Sequence, residues 1–259
     1  MPPLFHLVIP AFNERTRLPG FLEPLCAALA AAPSLSGSVS LEVVDDGSAP
    51  AESEAMAAFV DDLRARYGFL SPMRRLPKNV GKGGAVYAGW DAAPPGATLL
   101  AFVDADGAVS ASEVVRLAEL ALGVSAEVPP PAVFAVRDAH RKGTVERTAL
   151  RNLMGHIFAW FVHLLFRFPF DDTQCGYKIV PAPAYRTVAP LLEVTGFDFD
   201  IELAFRLLES GTPIRPEPVR WHETPGSKVS AWAAASMFVT LLQLRLSLHR
   251  SPRASERKD

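Results

Sequence analysis

The chain has 259 residues, of which 49% are hydrophobic and 21% are charged, and this composition fits a globular fold with a sizeable core. Its 26 basic and 28 acidic residues give a net charge of −2 and form no long basic run, which argues against a protein that binds nucleic acid by neutralising phosphates. Two cysteines are too few for a disulfide framework, and the N-terminus lacks the pattern of a signal peptide, so we expect a cytoplasmic location.

Strands and helices are predicted to alternate through the first half of the chain. Short apolar runs predict strands at 5–10, 39–48, 97–106 and 132–137. The segments between them predict helices at 18–32, 52–67, 83–92 and from about 112. This alternation predicts an α/β fold with a doubly wound, mostly parallel sheet, and it places a ligand at the carboxyl edge of that sheet.

The second half of the chain has a looser pattern. It predicts a long helix at 147–167, a polar segment, a helix near 199–210, a strand near 214–221 and a final helix at 230–249. We expect one domain over residues 1–250, with a donor half at about 1–122, an acceptor half at about 132–250 and a disordered tail at 251–259.

Two acids follow the third predicted strand in the stretch "FVDADG". Asp104 and Asp106 would repel each other, so we expect a compensating positive charge nearby. Mg²⁺ and Mn²⁺ prefer oxygen ligands and usually keep waters and substrate phosphates in their shells. The pair is therefore a candidate site for Mg²⁺ or Mn²⁺ bound to a phosphate, and the alternative is that an aspartate caps the following helix.

Further acids lie at the ends of the first two predicted strands. Glu14 and Asp46 would join the Asp-x-Asp pair at one edge of one sheet, where a nucleotide and a metal ion would relieve the concentrated negative charge. The stretch "NVGKGGAVYAG" adds glycines that would let a ligand approach the backbone, and the helix that begins there favours anions. It does not have the spacing of a Walker loop.

Seven blocks of this sequence, in this order, carry a resemblance to a known family. They are "VIPAFNE", "VVDDGS", "GKGGAVYAGW", "FVDADG", "DDTQCGYKIV", "FDFDIEL" and "WHETPGSKV". The chain resembles family 2 glycosyltransferases of the GT-A fold and looks like their dolichyl-phosphate β-glucosyltransferase branch, which is close to the polyprenyl-phosphate sugar transferases. The resemblance implies an inverting, metal-dependent transfer of a hexose, glucose from UDP-glucose, to a polyprenyl or dolichyl phosphate at the membrane surface.

The resemblance also implies roles for individual residues. Asp104 and Asp106 match the metal and diphosphate motif, and Arg137 matches a basic residue near the phosphates. The position two residues after Asp106 is Ala108 instead of the glutamine that related mannosyltransferases often have, so a cation would depend more on water and substrate. The residues matching nucleotide contacts are Pro10, Phe12, Glu14, Asp46 and Lys82. Those in blocks associated with acceptor and diphosphate binding are Arg151, Gln174 and Lys228.

The nature of the acceptor decides whether a catalytic base is needed. A hydroxyl acceptor must lose a proton to a carboxylate, and Asp200 in "FDFDIE" is our candidate base; the alternative is that Asp198 and Glu202 form the solvated edge of a capped helix. A phosphate monoester is already largely dianionic at pH 7 and needs positive charge instead, which Arg137, Arg151 and Lys228 would supply. Asp172 lies near the expected acceptor site, or orders basic side chains without touching substrate.

Several alternatives remain open at this stage. The apolar helices at 147–167 and 230–249 fit either the membrane interface or burial against the domain. The same fold would also suit transfer to a carbohydrate or small-molecule hydroxyl, a sugar nucleotidyltransferase, or a non-catalytic protein that binds nucleotide sugars. The sequence does not predict the oligomeric state.

Overall fold

The computed structural model of the chain describes residues 4–137, 162, 164–166, 168–170, 172–222, 241–242 and 244–245. The chain divides into two compact units. One comprises Met1–Val145 with Asp172–Pro225, and the other comprises Glu146–Asp171 with Gly226–Asp259. The single domain with donor and acceptor halves remains a prediction. The apolar helices predicted at 147–167 and 230–249 fall almost entirely outside the described residues.

Within the described residues of the first unit, seven strands form one sheet in the order β3-β2-β1-β4-β6-β5-β7. The strands are β1 (Leu4–Ala11), β2 (Val39–Asp45), β3 (Arg74–Arg75), β4 (Ala97–Val103), β5 (Ala132–Arg137), β6 (Tyr177–Pro181) and β7 (Ile214–Val219). The helices are α1 (Leu18–Ala31), α2 (Pro50–Arg64), α3 (Lys82–Asp91), α4 (Ala111–Val124), α5 (Ala182–Val188) and α6 (Phe199–Glu209).

The direction of the strands determines which loops meet. β1 pairs in parallel with β2 on one side and β4 on the other. β6 is antiparallel to both β4 and β5, so β4 and β5 run in the same direction although they are not adjacent. The carboxyl ends of β1, β2, β4 and β5 therefore lie along one edge of the sheet.

The strands form where apolar runs can be buried on both faces. In β4, "ATLLAFV", every residue except Thr98 is buried, as expected for a strand covered by helices on both sides. In α4, the hydroxyl of Ser110 caps the first turn by accepting from the N–H of Glu113 at 3.4 Å. Val114, Leu117 and Ala118 then form part of its buried face.

The predicted fold class is confirmed, and most predicted elements lie within a few residues of the observed ones. Three elements were missed: β3, β6 and α5. β3 has only two residues, and β6 lies in the stretch that the sequence marks as a polar segment. β6 is buried along its whole length because it sits between β4 and β5, a pairing that no local pattern reveals. Among the described residues, none of the helices has the length and hydropathy needed to cross a bilayer.

Candidate active site

The carboxyl edge of the sheet holds an ion pair between two residues from different elements. Nζ of Lys82, the first residue of α3, lies 2.6 Å from Oδ1 of Asp104, which follows β4. The Lys82 ammonium also lies 5.3 Å from the centre of the Phe102 ring. Burial alone would lower the pKa of Lys82, but the carboxylates of Asp104, Asp200 and Asp106 raise it above its usual value. Lys82 is therefore a fixed positive charge beside the Asp-x-Asp pair.

The Asp-x-Asp pair does not cap a helix. The cap of α4 is Ser110, so the helix-cap alternative for Asp104 and Asp106 is wrong. Oδ1 of Asp106 accepts the N–H of Ala108 at 3.0 Å, which orients its carboxylate. Burial and the neighbouring charge of Asp104 raise the pKa of Asp106. A nearby cation would stabilise the ionised form of Asp106.

The donor set fits a divalent cation shared with a substrate. Asp104 and Asp106 offer carboxylate oxygens, which are the ligands that Mg²⁺ and Mn²⁺ prefer. Among the described residues, no group of three or more His, Cys, Asp or Glu side chains is arranged to hold a metal ion. A cation held by this pair would complete its shell with diphosphate and water oxygens, consistent with alanine at position 108.

Asp46 holds the Gly-rich turn in place. One oxygen of its carboxylate accepts the N–H of Val80 at 2.7 Å and the other accepts the N–H of Gly81 at 3.0 Å. Burial raises the pKa of Asp46, while these two hydrogen bonds oppose the rise. Asp46 thus lies at the predicted edge of the sheet, and it has a structural role that the sequence did not indicate.

The glycines of this turn allow close packing against the 195–196 segment, a role that the sequence did not indicate. The N–H of Gly83 donates to the carbonyl of Gly196 at 3.3 Å, and that of Gly84 donates to Thr195 at 3.1 Å. Gly81 has φ +92°, and a Cβ there would lie 2.4 Å from the Thr195 carbonyl oxygen. The amide groups of Gly81, Gly83 and Gly84 are thus bonded to Asp46 or to the 195–196 segment, and the turn presents Lys82. The predicted approach of a ligand to this turn stays a prediction.

A second basic residue at this edge was missed. Arg17 binds both carboxylate oxygens of Glu14, with its Nε 2.6 Å from Oε2. The hydrogen bond to Glu14, together with the charges of Glu14, Asp106 and Asp104, raises the pKa of Arg17 although burial opposes this. The sequence signal that could have identified Arg17 is its position three residues after Glu14, just beyond the first predicted strand. Glu14 thus fixes a guanidinium that interacts electrostatically with the Asp-x-Asp pair.

The remaining predicted nucleotide contacts lie at the end of β1. Pro10 is opposite Val44 of β2 in the sheet register and is partly exposed. Phe12 follows the strand and is 37% exposed, which leaves part of its ring accessible at the edge. Both positions are compatible with the contacts that the sequence predicts.

Arg137 and Asp172 form a tightly bound pair at the end of β5. The backbone N–H and Nε of Arg137 both donate to Oδ2 of Asp172 at 2.8 Å, and Nη2 donates to Oδ1 at 2.7 Å. Burial alone would raise the pKa of Asp172, but Arg137 holds it below its usual value. Oδ1 of Asp172 also accepts the backbone N–H of Gln174 at 3.2 Å. Asp172 therefore orders the side chain of Arg137, and its contact with the acceptor stays a prediction.

Asp200 forms a buried ion pair with Lys178. Its Oδ2 lies 3.1 Å from Nζ of Lys178, which is wholly buried and also donates to the Cys175 carbonyl at 2.8 Å. Oδ1 of Asp200 has no hydrogen-bond partner in the described part of the chain. Burial raises the pKa of Asp200, although Lys178 and Lys82 oppose the rise. Lys178 was missed because a buried lysine has no sequence signal apart from its place in a polar stretch.

The solvated-edge interpretation of α6 is wrong. Asp198, Asp200 and Glu202 are all buried, at 4%, 1% and 0% exposure. Burial and the charge of Asp200 raise the pKa of Asp198 to about 7. Oε2 of Glu202 accepts the N–H groups of Glu193 at 2.9 Å and Val194 at 2.7 Å, so Glu202 holds the segment before α6. The predicted site residues Arg151 and Lys228 lie outside the described residues.

Comparison with known proteins identifies the family of this chain. Residues 6–175 match the family model described as glycosyl transferase family 2. The chain belongs to glycosyltransferase family 2. It is therefore an enzyme that transfers a sugar, and the resemblance inferred from the seven sequence blocks is confirmed.

Relatives of this family 2 glycosyltransferase match most of its length. The dolichyl-phosphate beta-glucosyltransferase of Homo sapiens is 31% identical over 251 residues, which cover 93% of this chain and 74% of that protein. A dolichyl-phosphate beta-glucosyltransferase of Trichomonas vaginalis is 30% identical, with coverage of 92% and 70%. That of Saccharomyces cerevisiae is 29% identical, with coverage of 86% and 68%.

Solved structures share the fold at low sequence identity. A mannosyltransferase from Pyrobaculum calidifontis in complex with GDP-Man and Mn²⁺ has a TM-score of 0.63 at 13% identity, covering 95% of this chain and 65% of that chain. Glucosyl-3-phosphoglycerate synthase from Mycobacterium tuberculosis, in complex with Mn²⁺, UDP-glucose and phosphoglyceric acid, has a TM-score of 0.61 at 15% identity, covering 95% and 80%. The fold of the family 2 glycosyltransferase is thus one shared by several sugar transferases.

Proposed function

We propose that this family 2 glycosyltransferase transfers glucose from UDP-glucose to a polyprenyl or dolichyl phosphate with the help of Mg²⁺ or Mn²⁺. Relatives named dolichyl-phosphate beta-glucosyltransferases, about 30% identical over most of the chain, support the substrates. The observation that carries the proposal is the arrangement at the end of β4, where Asp104 and Asp106 lie beside Lys82. Two acids next to a fixed cation suit a metal-bound diphosphate.

The donor half of the proposal assigns roles to residues at the ends of β1, β2 and β4. Asp104 and Asp106 hold the cation, which when bound neutralises charge on the leaving diphosphate. Lys82 and Arg17 add positive charge on the protein side, so the diphosphate does not face acids alone. The residues that hold the base and ribose are Pro10, Phe12, Glu14 and Asp46, with Asp46 also fixing the turn that carries Lys82.

The acceptor half of the proposal rests on positive charge at the end of β5. A phosphate monoester with a second pKa of about 6 is mostly dianionic at pH 7.5, so it attacks without a base. Arg137 would attract it, and Asp172 fixes the guanidinium by accepting from both Nε and Nη2. Arg151, Lys228 and Gln174 complete the proposed acceptor and diphosphate contacts. A lipid acceptor places the enzyme at a membrane surface, and we assign it to the cytoplasmic face as a peripheral protein.

A second candidate is transfer to a hydroxyl acceptor. The observation that favours it is the buried Oδ1 of Asp200, which has no hydrogen-bond partner within the described residues. Lys178 occupies the other oxygen of this carboxylate, so Oδ1 is the atom that would accept a proton from an attacking hydroxyl. This reaction would need Asp200 as a catalytic base, whereas transfer to a phosphate would not.

A donor-by-acceptor turnover matrix tests the proposal. UDP-glucose, UDP-GlcNAc and GDP-mannose are each offered with a short polyprenyl phosphate, the matching polyprenol and a simple glucoside, in Mg²⁺, Mn²⁺ or EDTA. We expect turnover with UDP-glucose and polyprenyl phosphate that requires a divalent cation and gives an acid-labile product extractable into organic solvent. Glucosylation of the polyprenol or the glucoside in preference to the phosphate would reject the lipid-phosphate acceptor.

Matched variants link the activity to the site. Asp104→Asn and Asp106→Asn remove charge at the proposed cation site and should cut turnover severely while the fold remains. Asp62→Asn makes the same chemical change on the exposed side of α2, where the side chain is 74% exposed, and should leave turnover unchanged. Near wild-type rates for both site variants at saturating metal would show that the cation site lies elsewhere.

A further inference from the structure

The carboxylate of Asp104 lies directly against the backbone of Gly176. The N–H of Asp104 donates to the Gly176 carbonyl at 2.9 Å, which ties the end of β4 to the residue before β6. A Cβ atom on Gly176 would lie 2.0 Å from Oδ2 of Asp104 and 2.5 Å from its Cγ. Any side chain at position 176 would therefore enter the space that this carboxylate fills.

The backbone at Gly176 does not itself require glycine. The described glycines with positive φ, where side chains are strained, do not include Gly176. They are Gly37, Gly47, Gly81, Gly107 and Gly211. An alanine at position 176 is thus compatible with the local backbone, and the severe clash comes from the Asp104 carboxylate, with the Cβ of Asp104 at a tight 3.1 Å.

The clash from a side chain at 176 is relieved most easily by moving Asp104. The carboxylate is the end of a rotatable side chain, whereas the backbones of Asp104 and Gly176 are joined by a hydrogen bond at the edge of the sheet. Rotation would pull Oδ1 away from Nζ of Lys82, which is 2.6 Å away. A substitution at 176 would therefore disturb the site more than the fold.

We propose that Gly176 is a positioning residue for the transfer reaction, because its missing side chain lets Asp104 hold the orientation in which it faces Lys82. This inference rests on the proposed role of Asp104 at the cation–diphosphate site. Gly176 itself touches no reacting group. It acts through the carboxylate that it accommodates.

The test compares Gly176→Ala with Gly96→Ala. Gly96 lies in the turn before β4, and a Cβ there would meet no described atom within 4 Å. UDP affinity is measured by calorimetry in the presence of Mn²⁺, and folding is followed by denaturant titration. We expect Gly176→Ala to weaken UDP binding about 10- to 100-fold, the range seen for residues that orient metal ligands. Gly96→Ala should leave the affinity unchanged, and both variants should unfold cooperatively.

A double variant separates an effect on Asp104 from an effect on the fold. An Asp104→Ala background removes the Oδ2 and Cγ atoms of the clash and leaves only the Cβ of residue 104, 3.1 Å from a Cβ at position 176. Adding Gly176→Ala there should cost far less affinity than in the wild type, and the Asp104→Ala change should restore folding if the single variant fails to fold. The inference would be overturned, with the role of Asp104 intact, if Gly176→Ala bound UDP as tightly as the wild type. The same would follow if Gly176→Ala caused an equal loss of affinity or of folding in both backgrounds. Wild-type affinity of Asp104→Ala would overturn the proposed role of Asp104 and this inference together.

Discussion

Replacing Lys178 by methionine should strongly destabilise the protein. Lys178 is wholly buried, and its Nζ lies 3.1 Å from Oδ2 of Asp200, which is 1% exposed. Methionine keeps the length of the side chain and removes the charge. The Asp200 carboxylate would then be buried without its cation, and Oδ2 would lose its hydrogen bond.

The size of this effect follows from the geometry. Two unit charges at 3.1 Å attract each other by about 5 kcal/mol at an effective dielectric constant of about 20. Removing one partner of a buried pair typically costs about 3–5 kcal/mol, because the other charge stays in the interior. We therefore expect Lys178→Met to lower the free energy of unfolding by about 3–5 kcal/mol at pH 7.

Denaturant unfolding at pH 7 and pH 5 measures this prediction. Without Lys178 the pKa of Asp200 should rise further, so protonation at pH 5 should recover part of the lost stability. Lys178→Met combined with Asp200→Asn should also be more stable than Lys178→Met alone, because no unpaired charge remains. A loss below about 1 kcal/mol for Lys178→Met would refute the reasoning, as would a loss that is the same at both pH values.

Three further predictions concern the site. Asp46→Ala should weaken UDP binding and also lower the free energy of unfolding by about 1.5–3 kcal/mol for each lost hydrogen bond, because this carboxylate holds the Gly-rich turn. Calorimetry measures the first effect and denaturant unfolding the second, and the presence of only one of the two effects would contradict this prediction. Burial raises the pKa of Asp198 to about 7 in the folded protein, above its value in the unfolded chain, so the stability that Asp198 contributes is lost as pH rises through 7. The free energy of unfolding of Asp198→Asn should therefore increase relative to that of the wild type between pH 5 and pH 8, and a difference that stays constant over this range would show that Asp198 does not titrate there. If a lipid phosphate is the acceptor, kcat/KM at pH 7.5 should fall far more in Arg151→Ala and Lys228→Ala than in Asp200→Asn; the reverse order, with a loss of about 10²–10⁴-fold for Asp200→Asn, would support a hydroxyl acceptor.

Local sequence patterns were enough to predict the parallel half of the sheet and the acids at its edge. Apolar runs that end in Asp46 or Asp104 predict buried strands, and parallel strands bring their carboxyl ends together wherever the chain returns through helices. The order of the sequence blocks was enough to predict the family. These features depend on short-range periodicity and on residue types, which the sequence displays directly.

The partners of the side chains were decided by the tertiary structure. Lys178 and Asp200 are 22 residues apart, and Gly176 meets Asp104 only because β6 pairs antiparallel with β4. The amides of the Gly-rich turn bind Asp46 and a segment more than 110 residues later in the chain, and the glycines of the motif do not indicate either partner. Burial in the folded chain determines which carboxylates need a cation and which glycines need space, because both depend on atoms that are distant in the sequence.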